Sequence, residues 1–191
     1  MSPDNNISKG AFMRRIVIVG SAGSGKSRLA RVLGEILDVP VIHGDKIFWR
    51  PGWSDPDNDE FRSDVRAHVA KEAWIYDGNL GRVADVVLPK ADTIIWLEQP
   101  TIVCLFRAYS RTLQSLGRTR PDVADGCPEE LSFALWGHVS SFNSRLRPRI
   151  EAWVLEYASE IQVLRLHGGR GVSDFVKARR REAESRPRVD S

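Results

Sequence analysis

Eight consecutive residues near the start of the chain have the types and spacing of a phosphate-binding loop. They are Gly20-Ser21-Ala22-Gly23-Ser24-Gly25-Lys26-Ser27, which fit the pattern Gly-x-x-x-x-Gly-Lys-Ser between an apolar run and an amphipathic one. The glycines let the backbone turn tightly, so that successive N–H groups point at phosphate oxygens, and the start of the following helix adds partial positive charge. Lys26 offers an ammonium group to the β- and γ-phosphates, and the Ser27 hydroxyl is placed to bind Mg²⁺.

This pattern predicts that the chain binds ATP, or a similar nucleoside triphosphate, together with Mg²⁺. We assign nucleotide binding to the whole loop, Gly20 to Ser27, and to the next residue, Arg28. The alternative is a glycine-rich turn that binds no ligand. We favour the phosphate-binding loop because the motif is complete and its flanks have the composition of a strand and a helix.

Strands and helices are predicted to alternate along the chain. Apolar, β-branched runs predict five strands, at Arg15–Val19, Pro40–His43, Trp74–Tyr76, Thr93–Leu97 and Glu160–Leu166. Amphipathic runs predict helices at Ser27–Leu37, Asp59–Lys71, Arg82–Leu88 and Thr101–Leu116, then from Glu129, near Pro148 and from Ser173. This alternation predicts a parallel α/β sheet with right-handed crossovers, whose ligands bind beyond the carboxyl ends of the strands.

Several details of the helices are predicted as well. Asp59 is expected to cap the helix that follows it. In the helix Thr101–Leu116, the side chains expected to face the core are Val103, Phe106 and Leu113. Pro148 either kinks the helix from Glu129 or starts a new one, and the last helix is expected to be short.

Two aspartates follow predicted strands and are therefore candidates for chemistry. Asp77 comes after the third strand, where an acid beside the phosphate-binding loop can hold Mg²⁺ directly or through water. Its alternative is an ordinary turn aspartate before Gly78. Asp45 comes after the second strand, where a carboxylate can orient an attacking hydroxyl and accept its proton. Its alternatives are a helix cap, a loop residue or a share of Mg²⁺ binding.

Arginines in an irregular segment are candidates for contacts with the transferring phosphoryl group. The segment Gly117–Glu129 has no periodicity and many turn formers, and it carries Arg118 and Arg120. A loop of this kind resembles a lid that closes over phosphates, and guanidinium groups suit the charge that develops there. Arg145 lies where the following helix can aim it at the same site. We predict these three arginines as a group, the alternative being surface charges.

Other polar and aromatic residues near the strand ends have two interpretations each. The segment Phe48–Trp53 and Asn79 either shape a pocket for a phosphate acceptor or hold their loops on the core. Arg107 and Arg111 share one helix face and either line the nucleotide site or are solvated, with a slight preference for Arg111. His43 is interpreted as structural, because no partner or second histidine at metal spacing is evident.

Length and composition are those of one globular domain without a transmembrane segment. The chain has 191 residues, a formal net charge of +3 and two cysteines, which make neither a disulfide framework nor a zinc site. No apolar run approaches the ~20 residues needed to span a bilayer. We expect a cytoplasmic protein with a disordered leader over 1–13, a domain over 14–178 and a basic tail over 179–191. A nucleic-acid contact through that tail is the minority interpretation.

Several segments together resemble a group of small bacterial P-loop kinases, related to adenylate and shikimate kinases and often described as topology modulation proteins or adenylate-kinase-like. The resemblance runs from about Arg15 to about Val176. It rests on GSAGSGKS at 20–27, VIHGDKIFWRPGW at 41–53, WIYDGN at 74–79, ADTIIWL at 91–97, GRTRPDVADGCPE at 117–129 and SFNSRLRPRI at 141–150.

The resemblance implies a P-loop NTPase fold of the nucleoside-monophosphate-kinase type, with a five-stranded parallel sheet, helices on both faces and a lid over about 117–137. It also implies ATP binding at Gly23–Ser27 and places Asp45 and Asp77 near the metal and the acceptor. Adenylate kinases have an arginine soon after the Asp-Gly of the third strand, whereas Asn79 and Leu80 stand here and Arg82 is displaced. That departure argues against AMP as the acceptor.

Two functions of different classes follow from these residues. The first is an ATP-dependent phosphotransferase that moves the γ-phosphoryl group to a small-molecule acceptor, such as a nucleoside, a nucleotide or a similar metabolite. The second is an ATP-binding regulatory or nucleic-acid-associated protein that affects DNA topology. Salt-sensitive binding to DNA would distinguish the second from the first.

Overall fold

Five parallel strands form a single sheet that carries the phosphate-binding loop at its centre. The computed structural model describes residues 13–119, 123–128, 137 and 139–185. Within these ranges the strands are β1 (Arg15–Gly20), β2 (Val41–His43), β3 (Trp74–Asp77), β4 (Thr93–Glu98) and β5 (Gln162–His167). All neighbours are parallel, in the order β2-β3-β1-β4-β5. The predicted α/β fold is confirmed.

Helices connect the strands and cover both faces of the sheet. In the part of the chain that the structure describes, the named helices are α1 (Lys26–Leu37), α2 (Gly44–Phe48), α3 (Asn58–Val69), α4 (Ala84–Val87), α5 (Thr101–Gln114), α6 (Arg147–Tyr157) and α7 (Gly168–Glu184). A 3₁₀ turn, Leu88–Lys90, follows α4, and a π-helical turn, Phe142–Leu146, precedes α6. Pro148 thus belongs to the start of α6, where its missing N–H needs no partner. No described helix combines the length and the apolar composition needed to cross a membrane.

Alternate residues of each strand supply the two halves of the core. Ile16 and Ile18 of β1 face α1 and α7, in a cluster with the buried side chains of Leu29, Leu33 and Phe175. The intervening residues of β1 face the other side, where they join a cluster with Trp74, Tyr76, Trp96, Phe61, Val65, Ile150 and Val154. Because both faces are covered, the strands are apolar without alternation, as a parallel sheet requires.

Three helix predictions are wrong in detail. Asp57, and not Asp59, caps α3, since its carboxylate accepts the backbone N–H groups of Asp59 and Glu60 at 2.9 and 3.1 Å. The last helix is not short and does not start at Ser173. It begins at Gly168 and has 17 residues. Glycine disfavours a helix interior by about 1 kcal/mol, but the packing of Phe175 and its neighbours on the core outweighs that cost.

The inward face of α5 is also not the one that large apolar residues predict. The buried residues of this helix are Cys104, Ala108 and Thr112, whereas Phe106 and Leu113 are exposed. Small side chains let α5 approach the loop after β1 closely. A prediction from hydrophobicity alone ranks these residues below Phe and Leu and therefore selects the wrong face. Residues 1–12, 120–122, 129–136, 138 and 186–191 lie outside the described residues. These ranges include most of the predicted leader and about half of the predicted lid and tail. The predicted domain boundaries stay predictions.

The turns after β2 and β3 touch each other through two glycines. A Cβ atom on Gly78 would lie 2.9 Å from the Cα of Gly44, and a Cβ on Gly44 would lie 2.5 Å from the hydroxyl oxygen of Tyr76. Both distances are shorter than real Cβ contacts. The absence of side chains at these two positions therefore brings the turns that carry Asp45 and Asp77 together.

Replacing Gly78 by alanine is expected to destabilise the fold, because the new methyl group meets backbone atoms that cannot rotate away. Overpacking of this kind costs about 1–3 kcal/mol, and roughly 2–4 °C of melting temperature is lost per kcal/mol at this chain length. Thermal unfolding followed by circular dichroism measures the change. Gly171→Ala is the control, since its Cβ meets an ordinary contact at 3.9 Å inside α7. A Gly78→Ala melting temperature at or above that of the parent would contradict the prediction.

Candidate active site

The phosphate-binding loop is shaped by glycines in conformations that other residues avoid. Gly20, Gly23 and Gly25 have φ angles of 149°, 78° and 101°. At Gly23 a Cβ atom would lie 2.2 Å from the carbonyl oxygen of Cys104 in α5, so no side chain fits there. The loop is therefore a cradle of backbone held against α5, which is the shape that phosphate binding by N–H groups requires.

Lys26 is held by the loop itself. Its Nζ donates to the carbonyl oxygens of Gly20 and Ser21, at 3.0 Å each. Burial lowers the pKa of Lys26, and the charges of Asp77 and Asp45 partly offset that effect. The predicted phosphate-binding ammonium group and the two predicted acids thus interact with one another.

Asp77 is a buried carboxylate that the surrounding groups keep ionised. Its side chain is 5% exposed, and the Nδ1 of His43 lies 3.1 Å from its Oδ2. An ionised carboxylate only accepts hydrogen bonds, so Nδ1 carries the proton. Burial raises the pKa of Asp77, but the hydrogen bond from His43 and the charge of Lys26, with a further hydrogen bond from Ser27, outweigh it and leave the pKa below its ordinary value.

The pair formed by Ser27 and Asp77 fits a magnesium ion. The Ser27 hydroxyl acts on the Asp77 carboxylate and lowers its pKa, and hard oxygen atoms are the ligands that Mg²⁺ prefers. In the described ranges no three His, Cys, Asp or Glu side chains gather into a group that could hold a metal alone. An ion at this pair would therefore take its other ligands from nucleotide oxygens and water.

Asp45 lies beside this pair and at the surface. It is in the first turn of α2, its side chain is exposed, and its charge acts on Lys26 and on Tyr76. An exposed carboxylate whose charge reaches Lys26 can receive a proton from a group that enters from solvent. This location agrees with the predicted catalytic role, and it agrees equally with a position in the first turn of a helix.

Two solved structures resemble the chain over most of its length. One is a gluconokinase from Sinorhizobium meliloti 1021, with 18% identity, a TM-score of 0.50, and 91% of this chain and 93% of that chain covered. The other is a shikimate kinase from Acinetobacter baumannii in complex with shikimate, with 15% identity, a TM-score of 0.53, and 87% and 90% covered. The chain has a P-loop NTPase fold. No protein-family model matches it, and no curated protein matches its sequence.

Of the three predicted arginines, the structure describes two. Arg118 and Arg145 are exposed, at the end of the turn after α5 and on the π-helical turn before α6, and Arg120 lies outside the described residues. The charge of Arg111 acts on Lys26 and lowers the pKa of that residue. The sequence analysis favours Arg111 only slightly as a residue of the nucleotide site. A single arginine on a helix does not indicate what that side of the helix contacts.

The loop after α2 is bonded to the described part of the predicted lid. The backbone N–H of Gly52 donates to Gly126 at 2.8 Å, and the indole N–H of Trp53 donates to Pro128 at 2.9 Å. The thiol of Cys127 donates to the carbonyl oxygen of Arg50 at 3.1 Å and is fully buried. For Trp53 the structure therefore favours the interpretation in which the aromatic side chain pins its loop.

Arg50, Arg82 and Asn79 each make contacts within the chain. Arg50 pairs with Glu60 at 2.7 Å, and Arg82 pairs with Asp55 at 3.2 Å while its guanidinium lies over the ring of Phe48. The amide oxygen of Asn79 accepts the N–H of Gly81. The rings of Phe48, Trp49 and Trp53 meet edge to face along this loop and form its partly buried side.

Loss of the His43 side chain is expected to weaken magnesium-dependent nucleotide binding. His43→Leu removes the hydrogen bond that orients Asp77, and partners of this kind are worth about 10–100-fold in metal affinity. His43→Asn, whose amide can donate, is expected to retain more of that affinity. The measurement is calorimetric binding of an ATP analogue at several Mg²⁺ concentrations, with circular dichroism to verify folding. An unchanged Mg²⁺ dependence in both variants would show that His43 does not position Asp77.

Proposed function

We propose that the protein is an ATP-dependent phosphotransferase that moves the γ-phosphoryl group of ATP to a hydroxyl group of a small-molecule acceptor. The observation that carries the proposal is the buried Asp77, which His43, Lys26 and Ser27 keep ionised beside the phosphate-binding loop. A glycine-rich turn without a ligand gives no reason for that charge to be buried, because burial alone disfavours it.

In the proposed phosphoryl transfer, each side chain of the site has a separate role. The acceptor oxygen forms a bond to the γ-phosphorus, the bond from that phosphorus to the bridging oxygen breaks, and ADP leaves with the electron pair. Asp45 orients the acceptor hydroxyl and accepts its proton. Lys26 and the N–H groups of the loop bind the phosphates. Ser27 and Asp77 would hold magnesium, which would supply positive charge to offset the negative charge of the phosphates.

Arg111 is proposed to take part in the role predicted for Arg118, Arg120 and Arg145. It projects from the same side of α5 as Cys104, whose carbonyl oxygen touches the loop, and its charge reaches Lys26. A guanidinium in this position can stabilise the charge that develops on the transferring group. The predicted lid arginines remain candidates to join it when the acceptor side closes.

The acceptor is proposed to be a small hydroxylated metabolite. Gluconate and shikimate, named by the kinases of similar fold, are acceptors of that size. We further propose that the chain is a cytoplasmic member of the adenylate-kinase-like or topology modulation group. For the alternative, a nucleic-acid-associated protein, the described part of the basic tail gives little support. Arg179 there pairs with Glu182 and packs on Phe175.

Removal of the Lys26 ammonium group is expected to abolish ATP binding or transfer. Lys26→Ala eliminates both the phosphate contact and the two bonds that Nζ makes to the loop. Lys90→Ala is the matched control, because Lys90 is exposed at the amino ends of the strands. Calorimetry with ATP, followed by a screen of nucleosides, nucleotides and sugars for phosphorylation, measures both properties. Retained activity in Lys26→Ala, or no stimulated turnover with any acceptor, would refute the proposal.

Replacement of Arg111 is expected to lower kcat more than replacement of any single predicted lid arginine. Arginines that contact a transferring phosphoryl group are worth about 10³–10⁵ in rate. Arg111→Ala is compared with alanine variants of Arg118, Arg120 and Arg145, with Arg66→Ala on the exposed side of α3 as the control. Arg111→Lys, which keeps the charge without the planar fork, should recover part of the loss. A near-parental kcat for Arg111→Ala would exclude this role.

A further inference from the structure

Trp49 lies on the same side of α2 as Asp45. The two residues are four positions apart, and the backbone N–H of Trp49 donates to the carbonyl oxygen of Asp45 at 3.1 Å, which closes the last turn of the helix. Side chains at this spacing are neighbours, with Cβ atoms about 5–6 Å apart. Ile47 lies between them in the sequence and packs against the core instead. The indole ring is therefore next to the carboxylate that is proposed to receive the proton of the acceptor.

Two aromatic neighbours fix the position of the Trp49 ring. The ring centroid of Phe48 lies 4.8 Å away at an interplanar angle of 83°, and that of Trp53 lies 5.3 Å away at 77°. Both contacts are edge to face, so neither neighbour lies parallel to the indole. Trp49 is half-buried, which leaves part of its surface open to solvent. A rigid aromatic side chain of this kind offers contact area at a low cost in conformational entropy.

The polar end of Trp49 is also open, unlike that of two other tryptophans. Trp53 donates its indole N–H to Pro128 at 2.9 Å, and the buried Trp74 donates its own to Val69 at 3.1 Å. In the part of the chain that the structure describes, the indole N–H of Trp49 has no hydrogen-bond partner, and it is not among the polar atoms that are buried without one. This donor thus reaches solvent, where an oxygen atom of a ligand can accept it.

These features together suit the recognition of a ring. Flat rings stack on an indole, and the C–H face of a saturated ring packs on it through dispersion, whereas an open chain offers no comparable surface. A ring about as wide as the Trp49–Asp45 spacing can rest on the indole and bring a hydroxyl group to the carboxylate. The bonds that hold the loop to residues 123–128 come from other side chains, so Trp49 is available for this contact.

We propose that Trp49 is the stacking platform for the acceptor, and that the acceptor is a cyclic compound with a hydroxyl group on or beside its ring. The ring stacks on the indole, its hydroxyl group lies against Asp45, and the indole N–H donates to an oxygen substituent that extends past the ring edge. This inference rests on the proposed phosphotransferase function and narrows its acceptor to ring compounds. Nucleosides and cyclic polyols share this chemistry, and the experiments below distinguish them.

Steady-state kinetics with a panel of acceptors tests the specificity. The panel contains nucleosides, inositol and sorbitol, of which the last two are a cyclic and an open-chain polyol of six carbons. Trp49→Leu is expected to raise the KM for a ring acceptor about tenfold and to leave the KM for ATP unchanged. Trp49→Phe, which keeps a ring, should recover most of the affinity. Phe106→Leu is the matched control, because Phe106 is an aromatic residue that is 71% exposed on α5.

Two kinetic results would overturn the proposal. One is a lower kcat in Trp49→Leu with an unchanged acceptor KM, which is the result if the ring only packs within its loop. The other is transfer to open-chain polyols with no transfer to any ring compound. Transfer to nucleosides identifies a base as the stacked ring, and transfer to inositol identifies a saturated ring.

Fluorine NMR tests the contact without turnover. The chain has six tryptophans, so labelling with 5-fluorotryptophan gives six resonances, and the one lost in Trp49→Phe belongs to Trp49. With Mg²⁺ and a non-hydrolysable ATP analogue bound, addition of a ring acceptor is expected to shift this resonance and not that of Trp153 on α6. Transfer to a ring acceptor that leaves the Trp49 resonance unmoved would overturn the inference and leave the phosphotransferase function intact. A shift without transfer to any acceptor would support the platform and contradict that function.

Discussion

The charge of Asp77 is the constraint on which the rest of the site depends. The carboxylate is buried at the end of β3, where burial by itself favours the neutral form. His43 at the end of β2, and Lys26 and Ser27 at the start of α1, offset that effect. A buried charge left without partners costs several kcal/mol. The sheet must therefore hold β2 beside β3 and the loop beside both, in the observed register, for the acid to stay ionised.

Close backbone contacts make that register possible. Gly44 and Gly78 let the turns after β2 and β3 touch, and Gly23 lets α5 press its Cys104 carbonyl against the phosphate-binding loop. In both places a methyl group would occupy space that another backbone already fills. The site is thus positioned by residues that carry no functional group, and its charged side chains are placed by the contacts those residues permit.

Local sequence patterns predict the fold correctly and suggest Ser27 and Asp77 as a pair. The other features depend on contacts between distant parts of the chain, which no short pattern specifies. The loop motif and Asp77 after an apolar strand are evident in short stretches of sequence. The partner of His43 depends on the register of β2 against β3, which no local pattern specifies. The inner face of α5 was misassigned because Phe106 and Leu113 are more apolar than Cys104 and Ala108, although only the small residues allow close approach. The same correction applies to Arg111, which projects from the same side of α5 as Cys104, on the inner face of the helix.

The hydrogen bonds between the loop after α2 and residues 123–128 bear on how water would be excluded. Gly52, Trp53 and Cys127 take part in them, and both Val123 and Cys127 are buried. Separating the segments would expose apolar surface and leave polar groups unpaired, so the two are expected to move together. Closure over an acceptor beside Asp45 would carry this part of the predicted lid with it. Acceptor binding and protection of the phosphoryl group from water are then consequences of one movement.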